Sequence, residues 1–200
     1  MIKILYIHGL NSSPASTKAQ QLLHAMHRMG IAERLYLPAL HHQPRLAVEQ
    51  LEAIIAGAGQ PVLVGSSLGG YYATFLAHRH GLKALLINPS VRPHLCFDGC
   101  HEWQTNYYTG ERWLPTEEHL QALAALEVPA PQDPQRCQVW LQTADQTLDY
   151  REAEHYYRAC ALRIQAGGDH GFAGFAERLP ALFAFAGLEH SLWRDTDFSH

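Results

Sequence analysis

Residues 61–70 read Pro61-Val62-Leu63-Val64-Gly65-Ser66-Ser67-Leu68-Gly69-Gly70. Val62-Leu63-Val64 is a short β-branched run of the kind that forms a buried strand. Beyond Ser67, the apolar residues Leu68, Tyr71, Tyr72, Phe75 and Leu76 recur at helical spacing, and Gly81 supplies a helix stop. A strand that passes directly into a helix through Gly-x-Ser-x-Gly turns so sharply that its serine takes a strained backbone conformation. Only very small residues two positions to either side then avoid a collision between strand and helix. Gly65 and Gly69 meet that need. The pattern alone arises by chance about 0.07 times in a 200-residue chain of ordinary composition. Its flanking strand and helix therefore make the Ser67 hydroxyl the candidate nucleophile. No Gly-Lys-Ser/Thr follows, which disfavours a Walker-type phosphate loop.

Outward from this turn, strand-like runs are predicted at Ile2–Ile7, Leu35–Pro38, Val62–Val64, Ala84–Ile87, Val139–Gln142 and Leu162–Gln165. Helical patterns separate most of them. Leu22, Leu23, Met26 and Met29 form one stripe ending at Gly30. Leu46, Val48, Leu51, Ile54 and Ile55 form another, between Pro44 and Gly57. Asp149 is placed to cap a helix carrying Ala153, Tyr156, Tyr157 and Cys160, and a last helix is predicted from Pro180 to Gly187. Alternating strands and helices predict an α/β class protein. Its mostly parallel sheet has about six strands, helices on both faces, and a small insertion after the fourth strand. That insertion, about residues 89–134, holds Phe97, Trp103, Tyr107, Tyr108 and Trp113 with few aliphatics. It is read as a cap over the site or as an aromatic-pinned surface connection. Residues 1–188 form a single domain in this reading, and residues 189–200 a polar, frayed tail.

The chain of 200 residues is long enough to bury a good core, and 47% hydrophobic with 17% charged residues describes an ordinary globular protein. A formal net charge of −4 without a basic run argues against a nucleic-acid partner. No apolar stretch approaches the ~20 residues of a membrane span, so no membrane partner is expected. The apolar start Met1–His8 is too short for a signal peptide. Cys96, Cys100, Cys137 and Cys160 then read as reduced thiols of a cytoplasmic protein. The oligomeric state is open.

A serine hydroxyl needs a base within hydrogen-bond reach, and the base needs an orienting carboxylate. In α/β-hydrolases these follow in the order Ser, Asp or Glu, His, each beyond the carboxyl end of a strand. Fourteen histidines are present, so position decides. His170, in Ala166-Gly167-Gly168-Asp169-His170-Gly171-Phe172, is the histidine placed just past the last strand-like run. Asp145 follows Val139–Gln142 directly and is the preferred acid. Asp149 is better explained as a helix cap, Asp169 adjoins the histidine, and Asp133 lies at the wrong end of its strand. The oxyanion donors are expected to be the backbone N–H of Leu68, at a helix start, and that of Leu10 in His8-Gly9-Leu10-Asn11, with Asn11 as the alternative to Leu10.

Taken together these residues resemble the α/β-hydrolase superfamily, and within it the small bacterial YqiA/YcfP-like esterase family. The resemblance rests on six blocks: Tyr6–Pro14, Val64–Ala73, Asn88–Pro93, Tyr107–Gly110, Gln142–Arg151 and Gly167–Phe172. It implies an α/β-hydrolase fold acting on acyl esters or thioesters, with Ser67, Asp145 and His170 as the triad and no cofactor. Ala144 and Gln146, beside the acid, depart from the glycine and glutamate that the family pattern leads one to expect. The segment His94-Leu95-Cys96-Phe97-Asp98-Gly99-Cys100-His101 departs too; its histidines and cysteines match no standard zinc spacing, and no metal is expected. The alternatives are a serine peptidase or amidase on the same fold, and a binding module that uses the aromatic insertion as its contact surface.

Overall fold

The computed structural model describes residues 1–96, 102–131 and 133–198. Its centre is a six-stranded, wholly parallel sheet. The strands are β1 (Ile4–Ile7), β2 (Leu35–Tyr36), β3 (Val62–Ser66), β4 (Ala84–Ile87), β7 (Cys137–Gln142) and β8 (Ala161–Gln165), in the order β2-β1-β3-β4-β7-β8. The four inner strands are apolar along almost their whole length because both faces of the sheet are covered. Side chains still alternate between the two layers. Leu5, Ile7, Leu63, Leu86, Val139 and Leu141 face a core shared with α2 (Pro44–Ala58), α3 (Leu68–His80), α5 (Glu117–Ala124) and α6 (Tyr150–Tyr156). Ile4, Tyr6, Val64, Leu85, Ile87 and Trp140 face the other core, under α1 (Thr17–Arg28) and α7 (Phe175–Ala186).

The expected α/β architecture is therefore present, with differences at element ends. The second strand is only two residues long and lies at the sheet edge. The seventh begins at Cys137, two residues earlier than the β-branched run suggests. The predicted helix from Pro180 begins instead at Phe175, so that Pro180 lies inside it. Proline is favoured in a first turn and costly further in. Here the helix is held by burial of Phe175, Leu179, Leu182 and Phe183. Cys160 lies beyond α6, in the turn before β8. Residues 189–198, expected as a frayed tail, carry the short helix α8 (His190–Trp193), and Leu192, Trp193 and Phe198 pack against the α1/α7 core. No helix among the described residues is long and apolar enough to cross a membrane.

Between β4 and β7 the chain leaves the sheet. It forms α4 (Pro93–Cys96), an antiparallel hairpin of β5 (Gln104–Thr105) and β6 (Arg112–Trp113), and α5. The hairpin is pinned to the loop after β1. Tyr107 N–H donates to the Asn11 carbonyl at 2.9 Å, and Trp113 Nε1 donates to Asn11 Oδ1 at 2.9 Å. Asn106 Nδ2 donates to the Ser12 carbonyl at 2.9 Å.

Candidate active site

Ser67 links β3 to α3 with φ 56° and ψ −122°, a conformation that L-residues rarely adopt. Its neighbours explain why the turn tolerates this. A Cβ on Gly65 would strike the Gly69 carbonyl, and one on Gly69 would strike the Ile7 carbonyl. The elbow is also tied into the sheet. Ser67 N–H donates to the Ile87 carbonyl at 3.0 Å, while the Ser67 carbonyl accepts from Gly70 N–H at 2.9 Å and Ser90 N–H at 3.1 Å. The strain is thus held by three backbone bonds, to the end of β4, to the loop just beyond it and to the first turn of α3.

The three side chains singled out in the sequence meet beyond the carboxyl ends of β3, β7 and β8. Ser67 Oγ lies 3.0 Å from His170 Nε2. His170 Nδ1 lies 2.8 Å and 3.0 Å from the two Asp145 carboxylate oxygens. The Asp145 side chain is 2% exposed and that of His170 23%. Burial pushes the Asp145 carboxyl up. The His170 imidazole and the Leu148 and Thr147 amides, at 2.9 and 2.8 Å, outweigh it and hold the carboxyl below its ordinary range. An ionised carboxylate is thereby aimed at one imidazole nitrogen while the other faces a hydroxyl. Asp149 caps α6 through Arg151 N–H at 3.0 Å, so it is engaged elsewhere.

Leu68 N–H opens α3, and Leu10 lies in the loop that crosses the elbow. That crossing is close: a Cβ on Gly9 would come 3.1 Å from Ser67 Cβ. Among the described residues neither the Leu10 nor the Leu68 amide has a hydrogen-bond acceptor, and both residues line a cavity that also holds Ser67 and His170. Asn11, the alternative donor, takes φ 53°, and its carbonyl and side chain are used to hold the hairpin.

Two polar residues that sequence reasoning did not single out position the histidine loop. Gln142, fully buried, accepts from Asp169 N–H and Ala173 N–H through Oε1, each at 2.9 Å, and donates from Nε2 to the Ala173 carbonyl at 2.7 Å. Asn88, 3% exposed, accepts from Gln142 N–H at 3.0 Å and donates to the Asp169 carbonyl at 3.0 Å. Gly168, with φ 78°, is where a Cβ would strike the Gln142 side chain. Gln146 accepts from His170 N–H at 3.1 Å, the task that the departure from the family pattern leaves to an amide. A buried glutamine at the end of an apolar strand is the one signal that could have flagged this clamp.

Two cavities flank Ser67 and His170. One, of about 290 Å³, is bounded by Leu10, Leu68, Pro93, Cys96, Tyr107 and Leu148. The other, of about 330 Å³, is bounded by Tyr6, Ser12, Thr17, Lys18, Tyr107 and Tyr108. His94 and Cys96 lie in α4, and the His94 imidazole is 3.6 Å from a Glu127 carboxylate oxygen. Cys100 and His101 lie outside the described residues. Among the described residues no group of three or more His, Cys, Asp or Glu is arranged to hold a metal ion.

The sheet order, the elbow and the placement of three side chains beyond the carboxyl ends of β3, β7 and β8 define the α/β-hydrolase fold. Solved structures agree. Est1E from Butyrivibrio proteoclasticus, solved with ferulic acid bound, superposes with a TM-score of 0.68 at 11% identity, covering 92% of this chain and 88% of that one. A monoacylglycerol lipase from Paleococcus ferrophilus gives 0.67 at 14% identity, covering 92% and 93%. A protein from Xanthomonas campestris pv. campestris placed in the α/β superfamily of hydrolases gives 0.60 at 21% identity, covering 95% and 98%. At these identities the likeness is one of fold. The chain belongs to the uncharacterised protein family UPF0227, the YcfP/YqiA family, whose model matches residues 3–187. A UPF0227 protein from Shewanella woodyi is 31% identical over 93 residues, 45% of this chain; the match spans about half, 52%, of that relative's length.

Proposed function

We propose that this protein is a serine hydrolase that cleaves carboxylic acyl esters or acyl thioesters through an acyl-enzyme. The observation that carries the reading is the continuous hydrogen-bonded chain from Ser67 Oγ through His170 to the ionised Asp145. In the proposed reaction His170 Nε2 accepts the Ser67 proton as Oγ bonds to the acyl carbon. Negative charge moves to the carbonyl oxygen, which the Leu68 and Leu10 N–H groups face. His170 then donates that proton to the departing alcohol or thiol. Water repeats the sequence in reverse and releases the acid. Asp145 keeps the proton on Nδ1 and offsets the imidazolium charge. No step requires a metal or organic cofactor. The names of Est1E's ligand and of the monoacylglycerol lipase fit an ester substrate. A cytoplasmic location belongs to the same proposal and accords with the free thiols of Cys96, Cys137 and Cys160.

The test is twofold. A fluorophosphonate should add its mass to the wild-type chain and leave Ser67→Ala unmodified. Ser67→Ala should also lower kcat on p-nitrophenyl butyrate by at least about 10³-fold. An unlabelled wild type, or a variant as active as wild type, overturns the reading.

A further inference from the structure

The two cavities beside Ser67 differ in chemistry, and the difference bears on the substrate. The 290 Å³ cavity takes most of its wall from Leu10, Leu68, Leu148, Pro93 and Cys96, with the uncharged polar groups of Asn11, Ser90, Gln104 and Thr147 at its edges, and suits an acyl chain. The 330 Å³ cavity is walled by the hydroxyl-bearing residues Tyr6, Ser12, Ser16 and Thr17, and by Lys18. The half-buried Lys18 donates from Nζ to the Gly171 carbonyl at 2.7 Å, one residue from the catalytic candidate His170. No carboxylate among the described residues pairs with it within 4.0 Å. Asp169 and Asp145 act on it only at longer range, and burial drives its ammonium down to about 8. An ammonium with a single carbonyl partner, withdrawn from water at a cost, keeps donors available for an anion. The opening turn of α1 adds nothing that would repel one: it has no acidic residue, and the Ser16 side chain makes no cap bond.

Within the esterase reading above, we propose that the Lys18 cavity receives an anionic group, a carboxylate or a phosphate, on the alcohol half of the ester, with Lys18 as the specificity-determining residue. The acyl half then occupies the leucine-walled cavity, and the alcohol leaves past His170 Nε2 with its charge held by Lys18. A neutral alcohol would leave that ammonium short of partners.

The test separates recognition from turnover. Ser67→Ala protein, which binds without cleaving, is titrated calorimetrically with three butyrate esters: 2-hydroxyethyl butyrate, butyryloxyacetate and 2-butyryloxyethyl phosphate. At least one anionic ester should bind about tenfold or more tightly than the neutral one, the worth of one charge-assisted contact. Which of the two anions gains more tells carboxylate from phosphate. Adding Lys18→Met should bring the three Kd values within about threefold, while Lys18→Arg should keep the preference. Because Lys18→Met removes a half-buried charge, its Tm should equal or exceed that of its parent; Lys18→Gln serves if the methionine variant does not fold. Equal Kd values for all three esters, or a preference that survives Lys18→Met, overturn the inference. Turnover of the same esters by wild type is scored separately. Absence of Ser67-dependent cleavage sinks the hydrolase reading and leaves the binding result standing on its own.

Discussion

Ser67 is the residue at which covalent geometry and proposed chemistry meet, and its positive φ is affordable only because two neighbours lack a Cβ. Gly69→Ala should therefore be among the most damaging single-methyl additions in the chain. Its Cβ falls on the Ile7 carbonyl of a fully buried strand, which has no room to yield. We expect a loss above about 4 kcal/mol in urea unfolding, seen as failure to recover folded protein. Gly57→Ala, in α2 with nothing within 4 Å of the added methyl, should instead gain about 0.5–1 kcal/mol. Equal effects at the two sites would refute the steric account. Asp145 supplies a second prediction at this scale. Its carboxyl is held below its unfolded value, so the stability it adds is fully present above about pH 4, the unfolded carboxylate range, and is lost as pH falls through the lower folded value. Urea midpoints measured between about pH 5 and pH 2.5 should fall more steeply for wild type than for Asp145→Asn; parallel curves would contradict this.

At the scale of elements, the histidine loop is built by a neighbouring strand. Gln142 ends β7 and holds Asp169 and Ala173 on both sides of His170, while Asn88, at the end of β4, holds Gln142. Gln142→Leu keeps the volume but strands two amides and a carbonyl. The expected cost is about 2–4 kcal/mol, together with a fall of about 10–100-fold in kcat and a much smaller change in KM, because His170 shifts rather than disappears. A KM effect as large as the kcat effect would mean that Gln142 shapes the substrate site instead. These elements also show what could be read from the sequence. Ser67, Asp145 and His170 were legible because each lies just beyond a strand-like run, and chain order alone brings the carboxyl ends of parallel strands to one edge of the sheet. Asn88, Gln142, Asn11 and Lys18 were not, since their partners lie 27 to 153 residues away in the chain and no local pattern encodes a side-chain bond to so distant a group. The start of α7 was misplaced for a local reason: Pro180 imitates a first-turn proline, and the burial of Phe175 and Leu179 that overrides it is a tertiary effect.

Across the whole molecule the sheet has a firm middle and an exposed flank. β1, β3 and β4 are buried along their length and paired on both sides, whereas β8 is mostly exposed and pairs only with β7. The candidate nucleophile Ser67 stands on the middle; His170 stands on the flank, 103 residues later. On slow heating, the rate on p-nitrophenyl butyrate should decline at a lower temperature than far-UV ellipticity, with fluorophosphonate labelling following the rate. Superimposable curves would show that flank and middle melt as one unit. If the curves separate, the edge strand is a thermal fuse: mild heat disarms the protein while the sheet that carries Ser67 survives, and cooling re-arms it without refolding the chain.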